Sequence, residues 1–207
     1  MYMISSSKMK QAKKKLADTE PYFYGLQGEI SRILRHVPDI EHPYFDLREN
    51  IPSGERKIGS IVITADKGLA GAYNHNIIKL EEELLNGPGE HKLFVVGELG
   101  RHYFSKHEVE IDTNFQYTVQ KPTMHRARNI ASAILDKFKQ GELDEVYMIY
   151  TRMENSVQSD AEKVKLLPLE RASFSHMIMP LSIHREEIEL YPSAESVMDS
   201  IIPNYIT

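Results

Sequence analysis

Residues 60–79 read SIVITADKGLAGAYNHNIIK, and this stretch decides the fold. Ile61, Val62, Ile63 and Thr64 are β-branched and form a short, mostly apolar run, the pattern of a strand buried on both faces of a parallel sheet. Asp66 follows at the carboxyl end of that strand. Gly68 and Gly71 then permit positive φ or a close backbone approach. Asn74 or Asn76 is placed to cap a helix carrying Ile77, Ile78, Leu80, Leu84 and Leu85. Strand, glycine turn and helix in that order are what a parallel α/β sheet repeats.

Downstream the alternation continues. Gly87-Pro88-Gly89 stops the helix sharply. A second strand is expected at 91–96 and a short helix at 99–106, with Tyr103 and Phe104 turned inward. A third strand is expected at 109–115, where Glu110 and Asp112 alternate with Val109 and Ile111 as on a half-exposed edge. Residues 123–141 form a helix whose apolar face is Ile130, Ala131, Ile134, Leu135 and Phe138, with Gly141 as its stop. Strand four falls at 144–150, a polar turn at 156–161 and strand five at 163–169, where Pro168 favours a strand end. Residues 171–190 give the weakest pattern and read as a surface loop. Ser193 caps a last helix carrying Ala194, Val197, Met198, Ile201 and Ile202, which Pro203 weakens.

Upstream, residues 1–37 read as helix. Met9, Ala12, Leu16, Phe23, Leu26, Ile30, Ile33 and Val37 fall on a 3,4 spacing, with Thr19 filling the one gap. That is a coiled-coil seam over about four heptads. Pro21 interrupts it, and the residues alone place a break near 19–21. Residues 38–57 are a loop punctuated by Pro38, Pro43, Pro52 and Gly54, with Tyr44 and Phe45 to pin it. The division expected is a coiled-coil helix at 1–37, a central α/β domain at 38–192 and the start of a C-terminal helix at 193–207.

Composition narrows the chemistry. The net charge of −5 does not mark a nucleic-acid binder. It hides a basic cluster of Lys8, Lys10, Lys13, Lys14 and Lys15 on the first helix, either a solvated face or a contact for acidic partner loops. Cysteine is absent, so there is no disulfide framework, thiolate metal site or thiol nucleophile. The nine histidines show no metal-ligand spacing. Neither G-x-x-x-x-G-K-[ST] nor G-x-G-x-x-G is present, and no G-x-S-x-G. Asp66 resembles the acidic strand end that holds Mg²⁺ in nucleotide hydrolases, but without a phosphate loop its simpler role is to accept backbone N–H bonds in the Gly68–Gly71 turn. No catalytic residue, cofactor site, metal site or small-molecule substrate site is expected.

Several stretches, taken together and in order, carry a resemblance. T-A-D-K-G-L-A-G-A-Y-N at 64–74 resembles the signature of the gamma subunit of F-type ATP synthases. M-Y-M-I-S-S-S-K-M-K-Q-A at 1–12 resembles part of that subunit's N-terminal rotor helix. V-V-G-E-L-G-R-H-Y-F at 95–104, E-L-D-E-V-Y-M-I-Y-T at 142–151 and L-Y-P-S-A-E-S-V-M-D-S-I-I-P-N-Y at 190–205 follow in the family's order. Lys67 departs mildly, standing where the family commonly has arginine.

The resemblance implies a mainly parallel, Rossmann-like sheet of about five strands flanked by helices. It also implies one uninterrupted N-terminal helix and the start of a C-terminal one, both cut short. It implies a non-catalytic central rotor, peripheral on the cytoplasmic face of the bacterial membrane. Its partners would be the alpha and beta subunits of the catalytic ring, the epsilon subunit, the c-subunit ring and its own C-terminal helix. Carried over by motif, Met3, Ser5, Lys8 and Met9 lie on the helix segment that faces the ring. Two other readings compete: a Mg²⁺-dependent nucleotide hydrolase using Asp66, and a generic coiled-coil adaptor.

Overall fold

The computed structural model describes residues 2–68, 71–107, 109–155, 158–175 and 188–207, with the backbone alone at 2–5. The chain divides into two compact units, a helical one of Met1–His42 with Glu170–Thr207 and an α/β one of Pro43–Leu169.

The α/β unit is built on four strands: β1 (Lys57–Ile63), β2 (Glu90–Val96), β3 (Glu145–Met153) and β4 (Ser159–Leu167). Their order is β2-β1-β3-β4. β1 pairs in parallel with β2 and β3, while β4 returns antiparallel along β3. The sheet is therefore mainly parallel, with four strands among the described residues where about five were expected. Residues 109–117 pair with the β2 backbone as isolated bridges, Leu93–Ile111 and Val96–Tyr117, and not as a ladder strand. The interruption has a local cause: Asp112 Oδ1 accepts from the Asn114 N–H at 3.0 Å in an Asx turn, which diverts the backbone from the ladder. β4 begins at Ser159, inside what the sequence suggested was a turn. Asn155 Oδ1 accepts from the Gln158 N–H at 2.8 Å and tightens the hairpin before it.

Three helices complete this unit: α2 (Tyr73–Leu85), α3 (Glu98–Lys106) and α4 (Met124–Lys139). One core cluster joins Val62, Leu93, Val95 and Ile149 of the sheet to Ile77 of α2 and Phe104 of α3. Phe94, out of phase with Leu93 and Val95, points to the opposite face and meets Phe115 edge-on at 5.4 Å. α4 buries Ala131, Ile134, Leu135 and Phe138, four of the five residues assigned to its face, and Thr123 caps it by accepting from the Arg126 N–H. The α2 start differs from expectation. Neither Asn74 nor Asn76 caps it; Ala72 is the cap residue, and Asn74 Oδ1 instead accepts from the Ala65 N–H at 2.9 Å. Asn74 thus ties the helix start back to the strand end.

The helical unit contains α1 (Tyr2–His36), α5 (Ala172–Ser175) and α6 (Ala194–Ile206). α1 runs through Pro21 without a break. Pro21 offers no N–H to the Ala17 carbonyl, but both residues are exposed, so water can satisfy that carbonyl. Ser193 caps α6 by accepting from the Ser196 N–H, and α6 carries Pro203 inside it. The C-terminal half of the α1 seam is covered within this unit: Ile30 and Ile33 are buried with Phe174, Met198 and Ile202. Phe23 stacks on Tyr205 with centroids 5.0 Å apart. Ser31 Oγ donates to the Phe174 carbonyl at 2.8 Å. Of the segment read as a surface loop, 172–175 form α5, and 176–187 lie outside the described residues.

Candidate functional site

The turn after β1 is held by side chains that accept from backbone. The Thr64 N–H donates to the Val96 carbonyl at 2.8 Å, and Thr64 Oγ1 accepts from the Gly100 N–H at 3.0 Å. Gly97 sits against this corner at φ 104°, where a Cβ would lie 2.2 Å from the Thr64 carbonyl oxygen. Asp66 Oδ1 accepts from the Glu98 and Val119 N–H groups, each at 3.3 Å, while Oδ2 is buried without a partner. Asp66 thus bonds the start of α3 and the 119 loop rather than its own glycine turn. Gly68 is exposed with open space where a Cβ would stand. Gly71 has φ 55° and likewise faces open space, so only its backbone angle calls for glycine. Residues 69 and 70 between them are not described. Among the described residues no group of three His, Asp or Glu side chains is placed to hold a metal ion.

The second candidate surface is the N-terminal half of α1. Every residue from Ser7 to Gly25 is exposed. Leu16 is 65% exposed, and Met9, Tyr22, Phe23 and Tyr24 are also exposed. Lys8, Lys10, Lys13, Lys14 and Lys15 share this stretch, where no acidic residue precedes Asp18. Of the residues carried over by motif, Lys8 and Met9 are exposed on it. Met3 and Ser5 lie on the same helix, and their side chains fall outside the described residues. The seam therefore splits: a buried half carrying Ile30 and Ile33, and a bare half carrying Met9 and Leu16.

Three features escaped the sequence reading. Arg48, at φ 49°, donates to the Leu143 and Phe138 carbonyls at 2.6 Å each and to Asp144 Oδ1 at 2.5 Å, with its guanidinium over the Phe138 ring. Arg56 pairs with Glu145, which also accepts from Tyr147 Oη at 2.7 Å and faces Lys165 at 3.5 Å. Burial pushes the Glu145 carboxyl up, but the Tyr147 and Arg56 bonds and the Lys165 charge outweigh it and hold it below the usual range. Glu81 of α2 is fully buried, and burial pushes its carboxyl up to about 8 against weaker opposition from Ser60 and Lys163. No local motif marks these residues; charges in loops and on amphipathic helices usually face solvent.

The chain thus joins an α/β unit to a helical unit whose long helix is covered within that unit along only part of its length. The family model described as ATP synthase matches residues 1–207. The ATP synthase gamma chain of Ruminiclostridium cellulolyticum is 39% identical over 208 residues, covering 100% of this chain and 70% of that one. That of Acetivibrio thermocellus is 37% identical over 211 residues, covering 100% and 68%. Among solved structures, the central stalk and c-ring of Tetrahymena thermophila mitochondrial ATP synthase contains a chain of the same fold. Its TM-score is 0.66 at 22% identity, covering 99% of this chain and 84% of that one. The chain belongs to the ATP synthase gamma family, the central-stalk rotor subunits of F-type ATP synthases.

Proposed function

We propose that this chain turns proton-driven rotation of a membrane c ring into conformational cycling of the beta catalytic sites, and does no bond-making itself. The observation that carries the reading is the bare half of α1. A helix that exposes Leu16, Tyr22 and Tyr24 beside a run of lysines is built to work against other surfaces. The methionine at 9 suits a sliding contact, since its side chain is unbranched and flexible. Lys8 supplies a point charge to acidic loops of an alpha and beta ring, and Met3 and Ser5 extend the same contact. The mechanism is differential affinity: one face of an asymmetric rotor favours one beta conformation over another.

In this reading 1–37 is the rotor helix, 193–207 begins its antiparallel partner helix, and 38–192 binds the epsilon subunit and the c ring. The Asp66, Gly68 and Gly71 turn is structural. The subunit is peripheral at the cytoplasmic face of the bacterial membrane; among the described residues no helix is long and apolar enough to cross one. Two measurements test this. Calorimetry of the isolated chain with Mg-ATP is expected to show no saturable heat at sub-millimolar ligand, and micromolar binding abolished by Asp66→Ala would replace the rotor reading with a hydrolase. Co-expression with the alpha and beta subunits is expected to yield one complex containing all three chains, and a chain that elutes alone would argue for a generic adaptor.

A further inference from the structure

Glu81 is the least explained side chain in the α/β unit. It is fully buried on α2, four residues after the buried Ile77, at a position where that helix would ordinarily carry an apolar group. Neither carboxyl oxygen has a hydrogen-bond partner. Ser60 Oγ on β1 and Thr151 Oγ1 on β3 are also buried without a well-formed hydrogen bond, Ser60 lying near Glu81 and Thr151 near Tyr73. α2 packs on β1, β3 and β4, so these atoms belong to the strands beneath it. The Ser60 hydroxyl stands beside Glu81, close enough to favour the carboxylate weakly, but the two do not meet in a well-formed hydrogen bond. A carboxylate left this way would be a buried charge with no donor, whereas a neutral acid is tolerated there.

The groups around the seam decide what ionisation would do. β1 brings Ser60, which cannot titrate in this range. β3 brings Tyr147, whose hydroxyl is committed to Glu145 at 2.7 Å. β4 brings Lys163 and Lys165. Lys165 is engaged by Glu145 at 3.5 Å, while Lys163 is exposed, with its ammonium 5.8 Å from the Tyr147 ring centroid. α3 brings Tyr103, whose hydroxyl donates to Glu82 at 2.7 Å and whose ring stacks on His107. On α2 itself Tyr73 is raised above its ordinary value, first by burial. Lys163 is thus the cation whose charge acts on Glu81, and it lies at the open edge of the sheet, since β4 is the outermost strand.

We propose that Glu81 is a proton-operated latch between α2 and the sheet: as the neutral acid it stays in the apolar seam, and on losing its proton it turns toward Lys163 and loosens α2 from β4. The proton passes to solvent at the β4 edge. The device belongs to the α/β unit alone, so it stands or falls independently of the rotor reading.

The test is a carboxyl-carbon NMR titration of the full chain, with the Glu81 signal assigned by its loss in Glu81→Gln. The expected midpoint is near 8, and a midpoint in the ordinary carboxylate range would overturn the proposal. Hydrogen exchange, corrected for the intrinsic pH dependence, supplies the second readout. Amides of α2 and β4 are expected to lose protection by about tenfold one pH unit above the midpoint in the wild type. They are expected to lose none in Glu81→Gln, with α4 as the internal control. An equal loss in both proteins would overturn it. If Glu81→Gln does not fold, Lys163→Met decides: removing the cation should raise the wild-type midpoint, and an unchanged midpoint would rule out Lys163 as the latch partner.

Discussion

Gly97 and Gly71 both have positive φ, yet they do different work. At Gly97 a Cβ would collide with the backbone of Thr64, which cannot swing away. At Gly71 there is open space, and only the left-handed conformation resists a side chain. Gly71→Ala should therefore cost about 1–2 kcal/mol, while Gly97→Ala should cost clearly more or prevent folding; urea melts of the two variants decide. Charged residues add a pH dependence. Glu145 has its carboxyl depressed by Tyr147, Arg56 and Lys165, so its contribution is present above the unfolded value of 4.5 and is lost as pH falls through the lower folded value. Arg56→Met should make acid unfolding begin at higher pH, as read by circular dichroism. Glu81 has the opposite sign: its neutral form is favoured by folding, so stability falls as pH rises from 4.5 toward 8. Glu81→Gln should flatten that slope, a difference of about 3 kcal/mol near neutral pH at 1.36 kcal/mol per unit. Little of this was legible in the sequence. The T-A-D-K-G run marked the turn, but which atoms Asp66 bonds depends on loops far along the chain, and nothing near Glu81 or Arg48 distinguishes them from surface charges.

Among the elements, α1 shows how far a periodic pattern can be read. Its 3,4 spacing gave the helix and the correct buried residues Ile30 and Ile33, but spacing says which side chains share a face and not what covers them. Ile33→Ala should destabilise the helical unit by about 2–5 kcal/mol, whereas Leu16→Ala, at 65% exposed, should stay within about 0.5 kcal/mol in the isolated chain. The contrast is checked by thermal melting of both variants. Pro21 was read locally as a break because a missing N–H is visible in sequence and the exposure that relieves it is not. The expected third strand failed for a related reason. Val109 and Ile111 alternate correctly, but Asp112 spends its carboxylate on its own backbone and the pairing ends. β4 was found in sequence four residues late because its first half is polar, as an outermost strand permits. Reversing Lys8, Lys10 and Lys13 to Glu should leave the melting temperature of the chain nearly unchanged, since exposed charges contribute under about 1 kcal/mol each. In the assembled enzyme the same triple variant should lower the ion pumping obtained per ATP hydrolysed, measured as vesicle acidification against phosphate release.

For the whole molecule, order along the chain carried more than any single signal. Strands alternating with helices define the α/β unit, and five separated motifs in a fixed sequence identify the gamma family, although no one of them would. What that order cannot convey is which surfaces stay bare until other subunits arrive, and in the proposed rotor the work falls to the bare half of α1. Because the chain contains no cysteine, a single thiol can be introduced there without competition. Ser7→Cys lies on the exposed stretch of α1, and a cleavable cross-linker can join it to the alpha and beta ring in the assembled complex. The most direct measurement is the rate of ATP hydrolysis before cross-linking, after it, and after the linker is cut. A rotor predicts that turnover falls nearly to zero when the chain is tethered to the ring and recovers on cleavage. Undiminished multi-turnover hydrolysis in complexes shown to be fully cross-linked would contradict the claim that this subunit must turn.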